Sequence, residues 1–83
     1  MKLAKYVKFR EEKFGGVLFE TRSEKVFTLN STGAAVVREI AAGAPEAEIG
    51  ERLRRRFADP SGAIDGEIRA LVSELKTRGL VEE

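Results

Sequence analysis

The chain has 83 residues, which is the size of one small domain. It contains no cysteine, histidine or tryptophan, which excludes disulfide bonds, Cys/His metal sites, thiol nucleophiles and histidine acid–base catalysis. Fifteen Lys and Arg residues against fourteen Asp and Glu residues leave a net charge of +1, so no strong overall field attracts nucleic acid. We predict a single domain across residues 1–83, because 42% hydrophobic residues suffice for a globular core.

The N-terminal segment gives no sign of targeting. Met1–Lys5 is not followed by an apolar run of signal-peptide length, and no segment approaches the roughly 18 apolar residues of a membrane span. The absence of cysteine agrees with a reducing compartment. We therefore expect a soluble, cytoplasmic protein that makes no membrane contact.

The first thirty residues have the pattern of β-strands. Three segments are rich in β-formers or alternate between apolar and polar residues, namely Lys5–Arg10, Gly16–Glu20 and Lys25–Leu29. Gly15-Gly16 and the polar run Arg22–Glu24 separate them as turns. Short connections favour antiparallel neighbours, so the pattern predicts a three-stranded meander.

After Leu29 the spacing of apolar residues becomes helical. Asn30 or Ser31 is the predicted N-cap of a first helix that stops at Gly43. A second helix begins at Pro45 and ends before the loop 59–62. The third helix has the clearest stripe and ends at Gly79; its apolar residues are Ile64, Ile68, Leu71, Val72 and Leu75. The predicted fold class is α+β, with a three-stranded antiparallel sheet followed by three helices.

The residues that could carry catalysis are few. The serines have no histidine partner, so a Ser-His-Asp triad cannot form. Glu11-Glu12 and Glu82-Glu83 are adjacent carboxylates, which we interpret as a solvated turn and tail. Gly15-Gly16 lacks the spaced glycines of a phosphate loop. We predict that the chain is not an enzyme and needs no metal or cofactor.

Arg52, Arg54, Arg55 and Arg56 form the one marked cluster of charge. A DNA-binding helix is one interpretation, because such residues displace counterions from phosphates. A solvated helix surface is the other, and we favour it because the third helix mixes acidic and basic residues and suits phosphates poorly. A winged-helix DNA-binding transcription factor remains the alternative function, although nucleic acid is not the expected partner.

Lys25–Leu29 is predicted to be an edge strand, and it suggests a backbone site. An edge strand presents N–H and C=O groups that another extended chain can pair with. Phe27 and Leu29 are expected to face the core, which leaves Val26 and Thr28 to meet a ligand. The same edge allows a homodimer, by strand pairing or by swapping.

The ordered set of segments resembles the PqqD family of peptide chaperones, also called RiPP precursor recognition elements. The resemblance runs from about Tyr6 to Val81, and the strand–Leu-Asn–small–Thr entry into a helix is its most specific part. It is carried by Gly15–Phe19, Val26–Gly33, Ile40–Gly43, Glu48-Ile49 with Leu53 and Phe57, Leu71–Leu75, and Gly79–Val81. Ala44-Pro45 departs from the Ser/Thr cap that relatives often carry, which affects a helix start.

The resemblance implies a winged-helix-like fold and a function. Such domains bind the leader segment of a ribosomally made precursor peptide and present it to a modifying enzyme. In the PqqD-like branch that enzyme is typically a radical S-adenosylmethionine protein, here a separate chain. The leader is expected to add beside the third strand, in a groove walled by the third helix. The implied peptide-binding residues are Lys25, Val26, Phe27, Thr28 and Leu29 on the strand, and Ile68, Arg69, Val72 and Lys76 on the helix.

Overall fold

A computed structural model describes residues 1–58 and 62–82 and confirms the predicted order of three strands and three helices. The elements are β1 (Lys2–Leu3), β2 (Val7–Glu12), β3 (Gly15–Glu20), β4 (Lys25–Asn30), α1 (Ser31–Ala41), α2 (Glu46–Arg56), α3 (Ile64–Thr77) and β5 (Val81–Glu82). Part of the predicted loop 59–62 lies outside the described residues. No helix in the described ranges has the length and apolar composition to span a bilayer.

The main sheet is antiparallel with the strand order β2-β3-β4. A two-residue turn joins β2 to β3, and Glu12 faces Gly15 across it. A four-residue loop joins β3 to β4, and Phe19 faces Val26 in that pair of strands. The sheet therefore has β4 at one margin, as the short connections predicted.

The helices cover one face of this sheet and form the core with it. Asn30, the last residue of β4, is also the N-cap of α1, and its Oδ1 accepts a 2.8 Å hydrogen bond from the Gly33 N–H. The most deeply buried large side chains come from β3 and all three helices; they are Leu18, Val36, Val37, Ile40, Ile49, Leu53 and Leu75. One core thus spans the whole domain.

The structure adds a small second sheet that the sequence pattern did not predict. β1 pairs antiparallel with β5, so that Leu3 faces Val81 and the Lys2 ammonium lies 3.6 Å from the Glu82 carboxylate. Val81 is buried, so the C-terminal segment returns onto the core. Two-residue strands are too short to show a period, so only the tertiary structure reveals them.

Gly15 is required where β3 begins against β4. Its φ of +148° is open mainly to glycine, and a Cβ at this position would overlap the Leu29 carbonyl oxygen. We expect Gly15→Ala to lower the free energy of unfolding by more than about 2 kcal/mol, since neither backbone can move freely. Urea denaturation followed by circular dichroism measures the change.

Gly66→Ala is the matched control for this substitution. Gly66 is exposed within α3, and a Cβ there meets open space. The same glycine-to-alanine change should stabilise the protein by up to about 1 kcal/mol, because alanine has the higher helix propensity. Equal effects of the two substitutions would contradict the assigned role of Gly15.

The Glu20 carboxylate organises the loop that leads into β4. It accepts hydrogen bonds from the Ser23 hydroxyl at 2.7 Å and from the Arg22 N–H at 2.8 Å. These hydrogen bonds hold the pKa of Glu20 below its ordinary value of 4.5. The bond from the Ser23 hydroxyl is the largest cause. The loop is therefore tied to the end of β3 by an ionised group.

This pKa predicts how stability depends on pH. A carboxyl group with a lowered folded pKa stabilises the fold above its unfolded pKa, and the contribution is lost as the pH falls through the folded value. Glu20→Gln should therefore flatten the fall in urea midpoint between about pH 6 and about pH 3. Glu24→Gln is the control, because it removes a carboxylate from the same loop that accepts no hydrogen bond within the described residues. Identical pH profiles for Glu20→Gln and the unaltered protein would refute the role of Glu20.

Candidate functional site

The outer margin of β4 carries unpaired backbone groups. Glu12 and Gly15 flank the two-residue turn between β2 and β3. The two residues that flank such a turn are hydrogen-bonded to each other through their backbone N–H and C=O groups. Successive residues of a strand direct their N–H and C=O to opposite sides, so Gly15 and Phe19 bond towards β2. Because Phe19 faces Val26, the groups of Val26 and Thr28 point away from β3.

No other part of the described chain covers these groups. Within residues 1–58 and 62–82, the backbone of Val26 and of Thr28 makes no hydrogen bond outside the sheet. The C-terminal strand β5, which could have added to β4, pairs with β1 instead. The predicted open margin is therefore present and can accept an extended chain.

A groove follows this margin between β4 and α3. It consists of two adjoining cavities of about 430 and 350 Å³, and both are lined by Phe27. The larger is lined by Phe27, Thr28, Leu29, Asn30, Thr32, Gly33, Val36, Glu67, Ala70 and Leu71. The smaller is lined by Glu20, Ser23, Lys25, Val26, Phe27, Thr77, Arg78 and Leu80. We call the two together the β4–α3 groove.

The middle of the β4–α3 groove is apolar. Phe27 and Leu71 are half-buried on its two walls, and the buried Leu29 and Val36 lie behind them. The Arg78 guanidinium lies 5.1 Å from the centre of the Phe27 ring. Apolar side chains of a guest could thus be buried here while its ends stay solvated.

The five predicted strand residues, Lys25 to Leu29, all line the β4–α3 groove. The core face expected for this strand is found, since Leu29 is buried and Phe27 half-buried on the helix side. Val26 is 60% exposed on the opposite face of the sheet. Contact of these five residues with a ligand remains a prediction.

The four helix residues predicted for the groove lie elsewhere, and this expectation is corrected. Ile68 and Val72 are only 5% and 2% exposed and belong to the core. Arg69 is on the α2 side of α3, where it lines a separate cavity, and Lys76 lies 3.6 Å from Glu46 at the start of α2.

The difference arises from the side of the apolar stripe on α3 that borders the groove. An apolar stripe has two flanks, and the sequence does not show which one faces the sheet. The family resemblance implies the flank of Val72 and Arg69 at the groove, whereas the structure places Glu67, Ala70 and Leu71 there. The i, i+3, i+4 spacing of these three residues is visible in the sequence, but Leu71 belongs to the same apolar stripe as the core residues of α3 and is not distinguished from them there.

A second exposed apolar surface lies on the outer face of the sheet. Val17, Phe19 and Val26 adjoin there across β3 and β4, with Lys8 and Arg10 beside them. Phe19 is 36% exposed. The two sides of β4 therefore differ, because the groove is on the helix side and this patch is on the open side.

Three of the four arginines of the α2 cluster are paired with acidic side chains. Arg52 donates hydrogen bonds to Glu39 at 2.9 Å and to Glu48 at 3.3 Å. Both bonds raise the pKa of its guanidinium, and the bond to Glu39 is the larger cause. Arg54 bonds to Asp65, and Arg55 donates to Glu51 at 2.8 Å. A surface already neutralised in this way does not favour the DNA-binding alternative.

Solved structures with the same fold include two that contain a leader peptide. One is titled "Lasso peptide synthetase B1 complexed with the leader peptide"; it is 26% identical, with a TM-score of 0.81, over 99% of this chain and 96% of that chain. Another, "TbiB1 in Complex with the TbiA(beta) Leader Peptide", is 18% identical with a TM-score of 0.85, over 99% and 95% of the two chains. The crystal structure of Streptococcus suis SuiB is 22% identical with a TM-score of 0.50, over 93% of this chain and 21% of that chain.

Comparison of the sequence with known protein families agrees with these structural similarities. Among curated proteins none matches this chain. Residues 15–81, which run from the start of β3 into β5, match the family described as "Coenzyme PQQ synthesis protein D (PqqD)". That match covers most of the chain, including both walls of the β4–α3 groove. The protein therefore belongs to the PqqD family, as the resemblance of its strands and helices indicated.

Proposed function

We propose that the protein is a non-catalytic adaptor that binds the leader segment of a ribosomally synthesised precursor peptide. The observation that carries the proposal is the unpaired margin of β4 beside an apolar groove. A relative of 26% identity, which covers nearly the whole chain, is titled as a complex with a leader peptide. Family membership supports the same function.

The leader binds by strand addition. The outward N–H and C=O groups of Val26 and Thr28 pair with its backbone and set its register without regard to its sequence. Side chains on the helix side of the leader enter the β4–α3 groove and supply the choice of partner. One short strand is a small interface, and an affinity near micromolar, about −8 kcal/mol, suits a carrier that passes its peptide on.

The bound peptide is presented to a separate modifying enzyme. A radical S-adenosylmethionine enzyme is the partner class that we propose from the PqqD family. The relative titled as a lasso peptide synthetase supports a second class, the enzymes of lasso peptide formation. Holding leader and enzyme together raises the local concentration of the segment to be modified. Co-purification with the modifying enzyme encoded beside this chain distinguishes the two classes.

Val26→Pro tests the backbone site. It removes an N–H that points away from β3, so the ladder of the sheet keeps its hydrogen bonds. We expect the fold to survive and leader affinity to fall by about tenfold, the equivalent of one lost hydrogen bond of about 1.4 kcal/mol. Titration of 15N-labelled protein with the precursor encoded nearby, followed by NMR, measures both.

Val26→Ala is the control for this experiment, because it removes the side chain and keeps the N–H. It should bind the leader with nearly unchanged affinity. A silent Lys25–Asn30 segment during the titration, with shifts elsewhere, would disprove strand addition at β4. The same titration with sedimentation analysis detects a homodimer, since pairing of two β4 strands would compete with the leader.

Substitutions of Leu71 and Val72, which are neighbours on α3, distinguish an effect on leader binding from an effect on folding. Leu71 is half-buried in the groove wall, whereas Val72 is 2% exposed in the core. Leu71→Ala should weaken leader binding several-fold with a small loss of stability. Val72→Ala should lower the free energy of unfolding by about 1–3 kcal/mol and leave affinity nearly unchanged in the folded protein. If denaturation and titration show the reverse, the leader contacts the Val72 side of α3 and not the Leu71 side.

A further inference from the structure

The two ends of the β4–α3 groove carry opposite charge. At the end where β4 begins, Lys25 and Arg78 line the groove together with Glu20, whose carboxylate is already engaged by Arg22 and Ser23. At the end where β4 finishes, Glu67 lines it beside Asn30. The strand and the helix run in opposite directions along the groove, so these charges are separated by nearly its whole length.

These charges are available to a guest. Within the described residues, neither the Lys25 ammonium nor the Glu67 carboxylate has a salt-bridge or hydrogen-bond partner. Arg78 is bonded to Glu74 at 3.0 Å, which leaves Lys25 as the free cation at its end. Both free groups are exposed, so they contribute selectivity more than affinity.

The spacing of the groove matches alternate residues of an extended peptide. Side chains at positions i, i+2 and i+4 share one face, and their span is about 13 Å. The four steps from Lys25 to Leu29 along β4 have the same length. Between the charged ends lie Phe27 and Leu71, so the central side chain of such a triplet meets apolar surface.

We propose that the groove selects a leader segment with an acidic, an apolar and a basic side chain at alternate positions. The acidic one lies beside Lys25, the apolar one over Phe27 and Leu71, and the basic one beside Glu67. Pairing is more stable antiparallel to β4 than parallel to it, so only one order of the two charges along the leader fits both ends of the groove. This inference rests on the proposed function and adds the chemistry of its ligand.

Two synthetic peptides test the proposal. Both have nine residues with a central leucine among valines and threonines, and they differ by exchange of a glutamate and a lysine two positions before and after the leucine. The unaltered protein should prefer one of them by about fivefold at low ionic strength, and added salt should reduce that preference. NMR titration of 15N-labelled protein gives the affinity and the location of each.

The double variant Lys25→Glu/Glu67→Lys should invert the preference, because it exchanges the charges of the two ends at constant net charge. Lys13→Glu/Glu51→Lys, which makes the same exchange away from the groove, should leave it unchanged. Equal binding of the two peptides at β4, or a preference that the first variant does not invert, overturns the proposal while strand addition stands. If neither peptide shifts the β4 amides, the proposed function itself fails and the inference fails with it.

Discussion

The hydrogen-bonding capacity left open along β4 is the constraint on which the rest of the molecule depends. Buried backbone groups must be paired, so a sheet margin can stay open only where solvent or a guest reaches it. Two features of the chain keep it open. The chain turns directly from β4 into α1 at Asn30, and the C-terminal strand pairs with β1 on another side of the domain. The helices therefore pack behind β4 and leave its margin free.

The open margin is also held in place before any guest arrives. Asn30 belongs to β4 and caps α1 in the same conformation, so the end of the strand is tied to a buried helix. At the other end, the hydrogen bonds of Glu20 fix the loop that leads into β4. A strand with both ends anchored loses little conformational freedom on pairing, so more of the interaction energy appears as affinity.

Sequence reasoning reached the fold and one wall of the groove, and the physical reason lies in periodicity. Alternation in Lys25–Leu29 indicated both the strand and its inward face, and a capping side chain marked the start of α1. The residues of α3 that form the other wall do not follow from the sequence. A period of 3.6 residues locates the stripe that is buried, but only packing against the sheet decides whether Leu71 or Val72 borders the groove.

The exposed Val26 side chain on β4 favours self-association of the protein. A free margin with Val26 on one side and Phe19 next to it has the features of strands that stack into fibrils when crowded. Lysine is a common guard against such stacking, and Lys25 and Lys8 stand at this margin and on this face. Repulsion between these lysines on facing copies opposes such stacking, so the solubility of the peptide-free form should decline where salt weakens that repulsion.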